Sequence, residues 1–197
     1  MTPKVTFGER YCASLSPRKT GRVLYYYDSL VSTSAAARKL FSSSGNAGFV
    51  VAAKVQTGGV GKYGRRWESP EGGLWFSFIS KAGKSEVPLF TLAAGHSIAR
   101  YFRKKHGAEL QIKWPNDLVY GGRKAGGILT ELLKAEGPHS YLLCGIGINL
   151  NNSHFQFSPP LRGSVVSISE ITGKKYDPAE ILAGILGALD ARPGSAD

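Results

Sequence analysis

Hydrophobic and polar positions along the chain fall into short blocks with two different periods. GRVLYYYDSL (21–30) is rich in aromatic and branched residues and predicts a strand. STSAAARKLFSSSGN (32–46) predicts a helix, with Ser32 or Ser34 as N-cap, an alanine-rich body and a Ser/Gly stop. GFVVAAKVQ (48–56) predicts a strand that runs straight into a glycine-rich loop, and LWFSFIS (74–80) a strand after it. In VPLFTLAAGHSIARYFRKKHG (87–107) the apolar residues Leu89, Leu92, Ala93, Ala99 and Phe102 come near helical spacing. Lys104 and Lys105 then fall in the last turn, and Gly107 ends it. Three strands follow, LQIKWPNDLVY (110–120), RKAGGILTELL (123–133) and SYLLCGIGINL (140–150), the first two joined by the hairpin dipeptide Gly121-Gly122. The last helix, DPAEILAGILGALDA (177–191), starts with Asp177 as cap, Pro178 at the first position and Glu180 at the capping-box position. Residues 1–21 are poorly patterned, and 191–197 read as a frayed tail. This order predicts an α+β fold, a mixed, largely antiparallel sheet with flanking helices, and not the strict alternation of a doubly wound nucleotide fold.

Composition bounds the class. The chain has 197 residues, 42% hydrophobic and 20% charged, as expected of one globular domain spanning 1–197. No apolar run approaches the ~20 residues of a membrane helix, and the N-terminus has no signal-type apolar segment. Cys12 and Cys144 form neither a metal spacing nor a disulfide framework, so a cytoplasmic protein without a membrane partner is expected. The formal charge of +11 favours acidic partners: phosphates, nucleic acid or an acidic protein. The four histidines, His96, His106, His139 and His154, stand apart with no triad or ligand spacing.

Four clusters carry candidate chemistry. The stretch GGVGKYGRRWESPEGG (58–73) holds six glycines in sixteen residues and reads as a functional loop. Gly59, Gly61 and Gly64 match a G-x-G-x-x-G spacing, but Pro70 and Gly72-Gly73 forbid the helix that a dinucleotide fingerprint must open. Lys62, Arg65 and Arg66, with the loop amides, can instead close around a polyphosphate, with Trp67 as anchor or stacking surface. The competing reading is a solvated basic loop, or a single-strand nucleic-acid contact through Tyr63 and Trp67. Second, Lys113, Asn116 and Asp117 cluster where Pro115 interrupts an apolar strand, opposite Lys124 and its following Ala-Gly-Gly. Third, GIGINLNN ends a strand in Asn149, Asn151 and Asn152; fourth, Ser32-Thr33 open a helix.

In this order the clusters resemble the biotin–protein ligase family. Its pattern is a Ser-Thr after the first strand, a Gly-Arg-Gly-Arg-x-Gly-Arg-x-Trp loop, Lys-Trp-Pro-Asn-Asp, Lys-x-x-Gly-Ile-Leu and Gly-x-Gly-Ile-Asn. This chain shows ST at 32–33, GVGKYGRRW at 59–67, KWPND at 113–117, KAGGIL at 124–129 and GIGIN at 145–149, a similarity spanning about residues 23–190. The resemblance implies a fold related to class II aminoacyl-tRNA synthetases. It also implies a reaction in two halves: biotin and ATP form biotinyl-5′-AMP, and a lysine of an acceptor protein then takes the biotinyl group. It assigns biotin contacts to Ser32, Thr33, Gln56, Gly59, Val60, Gly61, Lys62, Lys124 and Gly126. It assigns the adenylate to Arg65, Arg66, Trp67, Lys113, Asn116, Asp117 and Asn149. Lys124, Lys62, Arg65 and Lys113 are then the cations of the chemistry, and Asp117 is a ligand for Mg²⁺. The implied acceptor is the biotin carboxyl carrier protein domain of a carboxylase, and homodimers occur in the family.

The chain departs from the pattern at Val60, where the loop's first arginine is expected, and at Lys62, which keeps charge but not the bidentate fork of arginine. Weaker retention of the adenylate is therefore expected. Neither an N-terminal helix-turn-helix domain nor a C-terminal β domain is expected. Two other functions compete. A lipoate or octanoate ligase or transferase on the same scaffold would carry a different signature from KWPND and the basic loop. A nucleic-acid-binding module predicts binding that falls steeply with salt and leaves Lys113 and Lys124 without a purpose, so no nucleic-acid partner is expected.

Overall fold

The computed structural model describes residues 6–15, 20–83, 89–136 and 139–191, and in it seven strands form one sheet in the order β1-β2-β3-β7-β6-β5-β4. They are β1 (Val23–Leu30), β2 (Phe49–Gln56), β3 (Leu74–Gly83), β4 (Gln111–Lys113), β5 (Asp117–Tyr120), β6 (Arg123–Glu136) and β7 (His139–Ile148). β1 and β2 are parallel, as a strand pair bridged by a helix must be able to be, and the other pairs are antiparallel. The bridging helix is α2 (Thr33–Ser44), with Ser32 as its N-cap and Gly45 in the left-handed conformation at its end.

The two faces of the sheet are filled differently because side chains alternate along each strand. One face sends Val50, Ala52, Phe76, Phe78, Ile128, Cys144 and Ile146 into the main core. Helices α1 (Phe7–Ser14), α3 (Phe90–His106) and α6 (Pro178–Asp190) cover it with Tyr11, Ile98, Phe102, Leu182 and Ile185. Each such buried aliphatic or aromatic side chain contributes roughly 1.5–3 kcal/mol of transfer free energy. On the other face α2 lays Ala37 and Phe41 over Phe49, Val51, Ile79 and Leu143. Further along the same strands that face changes to Gly145 and Gly147, beside Gly127, and there the apolar cover stops.

Several elements differ from the pattern-based expectation. LQIKWPNDLVY is two strands, not one. The chain reverses at Trp114–Asn116, so that Lys113 pairs with Asp117 across a β4–β5 hairpin, and the Trp114–Pro115 peptide is cis. Pro115 has no N–H for a ladder, which makes it a turn residue here. Helix α3 is rotated: it buries Phe90, Ala94, Gly95, Ile98 and Phe102, while Leu89 and Leu92 are exposed. Asp177 caps α6 through Ala179 N–H and pairs with Arg10 at 2.7 Å, in place of a capping box with Glu180. Within the poorly patterned first 21 residues lies α1, opened by a Thr6–Glu9 capping box; residues 1–5 and 16–19, and 192–197 of the expected tail, lie outside the described residues. Short helices α4 (Pro159–Arg162) and α5 (Ile168–Thr172) have no counterpart in the sequence reading. Gly121 and Gly122, at φ 55° and 77°, make the expected hairpin turn.

At the end of α3, His106 is half-buried against Tyr101, Phe102 and Tyr176. Its pKa lies below the ordinary imidazole value, first through burial and then through the charges of Lys105 and Lys174. The fold therefore favours neutral His106. Its contribution is fully present above the unfolded value of about 6.5 and is lost as pH falls through the depressed folded value. Urea denaturation at pH 7.5 and 5.5 is expected to show lower stability at the acid end, with a smaller difference in His106→Gln. An unchanged difference in the variant would remove His106 from that account.

Candidate functional site

Where the apolar cover of the second face stops, a cavity of about 440 Å³ opens. Six elements wall it: the N-terminus of α2, the end of β2, the loop 57–69, the β4–β5 turn, and the glycine-bearing parts of β6 and β7.

The loop is a small hairpin. Trp67 N–H bonds Gly59 carbonyl at 2.8 Å and Gly61 N–H bonds Arg65 carbonyl at 2.7 Å, with Val60 and Arg66 bridged between them. Its tip turns through Tyr63 and Gly64, both at positive φ, and leaves Tyr63 exposed. Gly59 is required at the base, because a Cβ there would lie 2.6 Å from Trp67 carbonyl and 3.2 Å from Gln56 Nε2. No helix follows the glycines, so the rejected dinucleotide fingerprint stays rejected. Val60, Gly61, Lys62, Arg65, Arg66 and Trp67 all line the cavity.

One corner is polar and tightly wired. Gln56 Oε1 accepts from Thr33 N–H at 2.8 Å and from Thr33 Oγ1 at 3.0 Å, while its Nε2 donates to Ser69 Oγ at 2.8 Å. Thr33 Oγ1 and Ser34 Oγ both meet the buried Ser77 hydroxyl, at 2.8 and 2.9 Å. The Gln56 amide is thus fixed in one orientation. Ser32, Thr33, Ser34 and Gln56 all face the cavity.

The floor is glycine with a tryptophan on it. Trp67 lies so close to β6 and β7 that a Cβ on Gly127 would be 3.1 Å from its ring and one on Gly147 2.7 Å from Nε1. It meets Trp75 edge-on at 6.4 Å, and its buried Nε1 has no hydrogen-bond partner among the described residues. Lys124 Nζ sits 4.8 Å from the Trp67 ring centroid and 2.8 Å from Asp117 Oδ1. Both members of that ion pair are partly exposed, so the ammonium is held without being sealed off. The Lys124 backbone is clamped as well: its N–H donates to Ser164 carbonyl, and its carbonyl accepts from Val166 N–H and from Asn149 Nδ2. Asn116, whose carbonyl accepts Ile128 N–H at 2.9 Å, and Asp117 bring the turn to the same wall, beneath the exposed Trp114. Glu68 anchors the loop's far end by accepting Ser158 N–H at 2.9 Å, a bond that holds its carboxyl below the ordinary pKa.

Four predicted residues lie elsewhere. Lys113 is paired across from Asp117 one strand further out and does not line the cavity. Asn149 is buried behind Lys124, whose carbonyl it holds. Gly126 points to the opposite face, against Ile148 and Gly147 carbonyl, because it is one residue out of phase with Gly127. Gly59 is packed under the hairpin and not at the cavity surface. Conversely, Ser34, Ser77, Trp114, Gly145 and Gly147 shape the site without having been singled out for it, and of the Ala-Gly-Gly after Lys124 it is Gly127 that lines the cavity. The i, i+2 spacing of Gly145 and Gly147 on one strand was the available signal for the floor.

Among the described residues no three His, Cys, Asp or Glu side chains cluster as a metal site. Asp117 offers one carboxylate, which suits a Mg²⁺ carried in on nucleotide phosphates and not an all-protein cage. No described helix is long and apolar enough to cross a membrane.

Comparison with known proteins bears on this site. The model of the biotin/lipoate A/B protein ligase family matches residues 26–149. The bifunctional ligase/repressor BirA of Bacillus subtilis is 35% identical over 175 residues, covering 87% of this chain and 54% of that protein. The chain thus spans about half the length of this relative. The structure of biotin protein ligase from Aquifex aeolicus in complex with biotin and ATP superposes with a TM-score of 0.73 at 30% identity, over 85% of this chain and 68% of that one. Biotin protein ligase from Leishmania major in complex with biotinyl-5-AMP gives 0.73 at 26% identity, over 86% and 74%.

Proposed function

The chain belongs to the biotin/lipoate A/B protein ligase family, and on that premise we propose that it is an ATP-dependent biotin–protein ligase. The observation that carries this reading is the convergence on one cavity of a wired polar corner, a tryptophan floor and cations from two separate elements. Biotin carries a urea-type ring at one end and a carboxylate at the other. The Ser32–Thr33–Gln56 corner supplies fixed donors and acceptors for the ring, and Lys124 with Lys62 draws the carboxylate to the α-phosphate of ATP. The carboxylate oxygen attacks that phosphorus, the bond to pyrophosphate breaks, and biotinyl-5′-AMP remains. Trp67 and the turn at Asn116 flank the nucleoside, and the hairpin shields the mixed anhydride from water. The neutral ε-amine of an acceptor lysine then attacks the acyl carbon, AMP leaves with the phosphate oxygen, and the amine proton is released. Mg²⁺ bound through the ATP phosphates, with Asp117 beside it, would neutralise charge on the leaving pyrophosphate. The acceptor in this reading is the biotin carboxyl carrier protein domain of a carboxylase, and the setting is cytoplasmic.

A lipoyl or octanoyl chain has no urea-type ring with which to hydrogen-bond the hydroxyls and amide of this corner, so it gains less there than biotin does. Incubation with ATP, Mg²⁺ and a carrier domain is therefore expected to attach one biotinyl group to one lysine, read by intact mass and peptide mapping. An acceptor that stays unmodified with biotin but takes lipoate would reassign the substrate.

A further inference from the structure

We propose that Arg66 supplies, from the second strand of the loop hairpin, the cation that Val60 lacks on the first. The inference rests on the ligase reading and concerns how the phosphate is held. Gly61 N–H bonds Arg65 carbonyl and Trp67 N–H bonds Gly59 carbonyl, on either side of the Val60–Arg66 bridge. This is the pattern of an antiparallel pair that exchanges no hydrogen bond of its own. In such a pair the two side chains project to the same side at the closest cross-strand approach, with Cβ atoms about 5 Å apart. Val60 and Arg66 accordingly both line the cavity.

A guanidinium on a four-bond stem sweeps more than that separation, so a cation based at 66 reaches the space that one based at 60 would occupy. Val60 is 55% exposed and offers an apolar surface along which the Arg66 stem can lie. No ion pair is formed by Arg66 among the described residues. Glu68, whose ionisation the charge of Arg66 favours, is already bonded to Ser158. Arg66 thus keeps its planar fork available for a phosphate, the geometry for which arginine is suited and Lys62 is not. The sequence places Arg66 among the loop cations at a variable place in the loop pattern; the pairing adds that it stands directly across from Val60.

The exchange variant V60R/R66V, which moves the cation from one strand to the other, is the test. ATP alone is titrated in the presence of Mg²⁺ by calorimetry, and release of biotinyl-5′-AMP is timed separately. Arg66→Val is expected to weaken ATP binding and to speed release by about tenfold or more, the size of a lost charge-assisted contact. V60R/R66V is expected to return both to within about threefold of the starting protein. An exchange variant as weak as Arg66→Val, or an Arg66→Val that binds ATP normally, overturns the inference. Because ATP binding needs no biotin chemistry, the inference and the ligase reading fail separately. If the ATP pattern holds while no biotinyl-5′-AMP is made, the ligase reading falls and the phosphate role of Arg66 stands.

Discussion

Replacing Lys124 with alanine is expected to lower biotin-dependent adenylate formation by about 100- to 1,000-fold, the scale of removing one preorganised group from developing charge. In the proposed reaction two anions, a carboxylate and a triphosphate, meet in this cavity, and Lys124 is a cation held within it by named contacts. Its ammonium is placed by three contacts: Asp117 at 2.8 Å, the face of Trp67 at 4.8 Å and a backbone clamped to Ser164 and Val166. Removing it does more than subtract a charge, because Asp117 is left as an unpaired carboxylate facing the same anions. The double variant K124A/D117N is therefore expected to recover part of the lost ATP affinity while staying poor in turnover. Lys124→Arg keeps the charge but not the compact ammonium that fits between Asp117 and the indole, and recovers only a fraction. Single-turnover formation of biotinyl-5′-AMP measures all three. Activity in Lys124→Ala within threefold of the starting protein would place the chemistry elsewhere.

The second large effect is expected from a glycine. Gly147→Val puts a side chain where a Cβ alone would come within 2.7 Å of Trp67 Nε1 and 2.8 Å of two ring carbons. The indole must leave the floor, and with it go the cation–π contact of Lys124 and the edge contact with Trp75. Overpacking of this kind costs about 1–3 kcal/mol, which here falls on the bound state, so ATP affinity is expected to drop about 10- to 100-fold. Unfolding should change less, since Trp67 sits on a surface hairpin and can swing outward. Gly126→Ala makes the contrast. Its Cβ would meet Gly147 carbonyl and Ile148 on the core face, both at 2.8 Å, so its cost should appear in the unfolding midpoint. Equal effects of the two variants on stability and on ATP binding would mean that the faces of β6 and β7 do not separate site from core.

How much of this could be read before the structure follows from the range of each signal. Local signals served well: the Ser32 cap, the Gly121-Gly122 turn and the class of the sheet came from neighbours a few residues apart. So did the cavity-lining of Ser32, Thr33, Gln56, Lys62, Trp67 and Lys124, because each stands in a compact motif. Assignments that depend on phase were less secure. Gly126 and Gly127 are adjacent, and only the β6–β7 register decides which faces the cavity. Lys113 and Asn149 belong to motifs at the site, but one lies a strand beyond it and the other behind it. The KWPND turn reads in the sequence as an interruption because a proline inside an apolar run fits both a bulge and a reversal, and only pairing of Lys113 with Asp117 separates them. The exchange of a cation between positions 60 and 66 is invisible in one dimension, since five residues of loop lie between two side chains that stand together.

The central claim, that this cavity joins biotin to AMP, is tested most directly by carboxylic-acid-dependent exchange of pyrophosphate into ATP with Mg²⁺. Biotin, lipoate and octanoate are compared on the unaltered protein. Exchange with biotin, and background rates with the other two acids, is the predicted result. Exchange with lipoate or octanoate in place of biotin, or with none of the three, would contradict it.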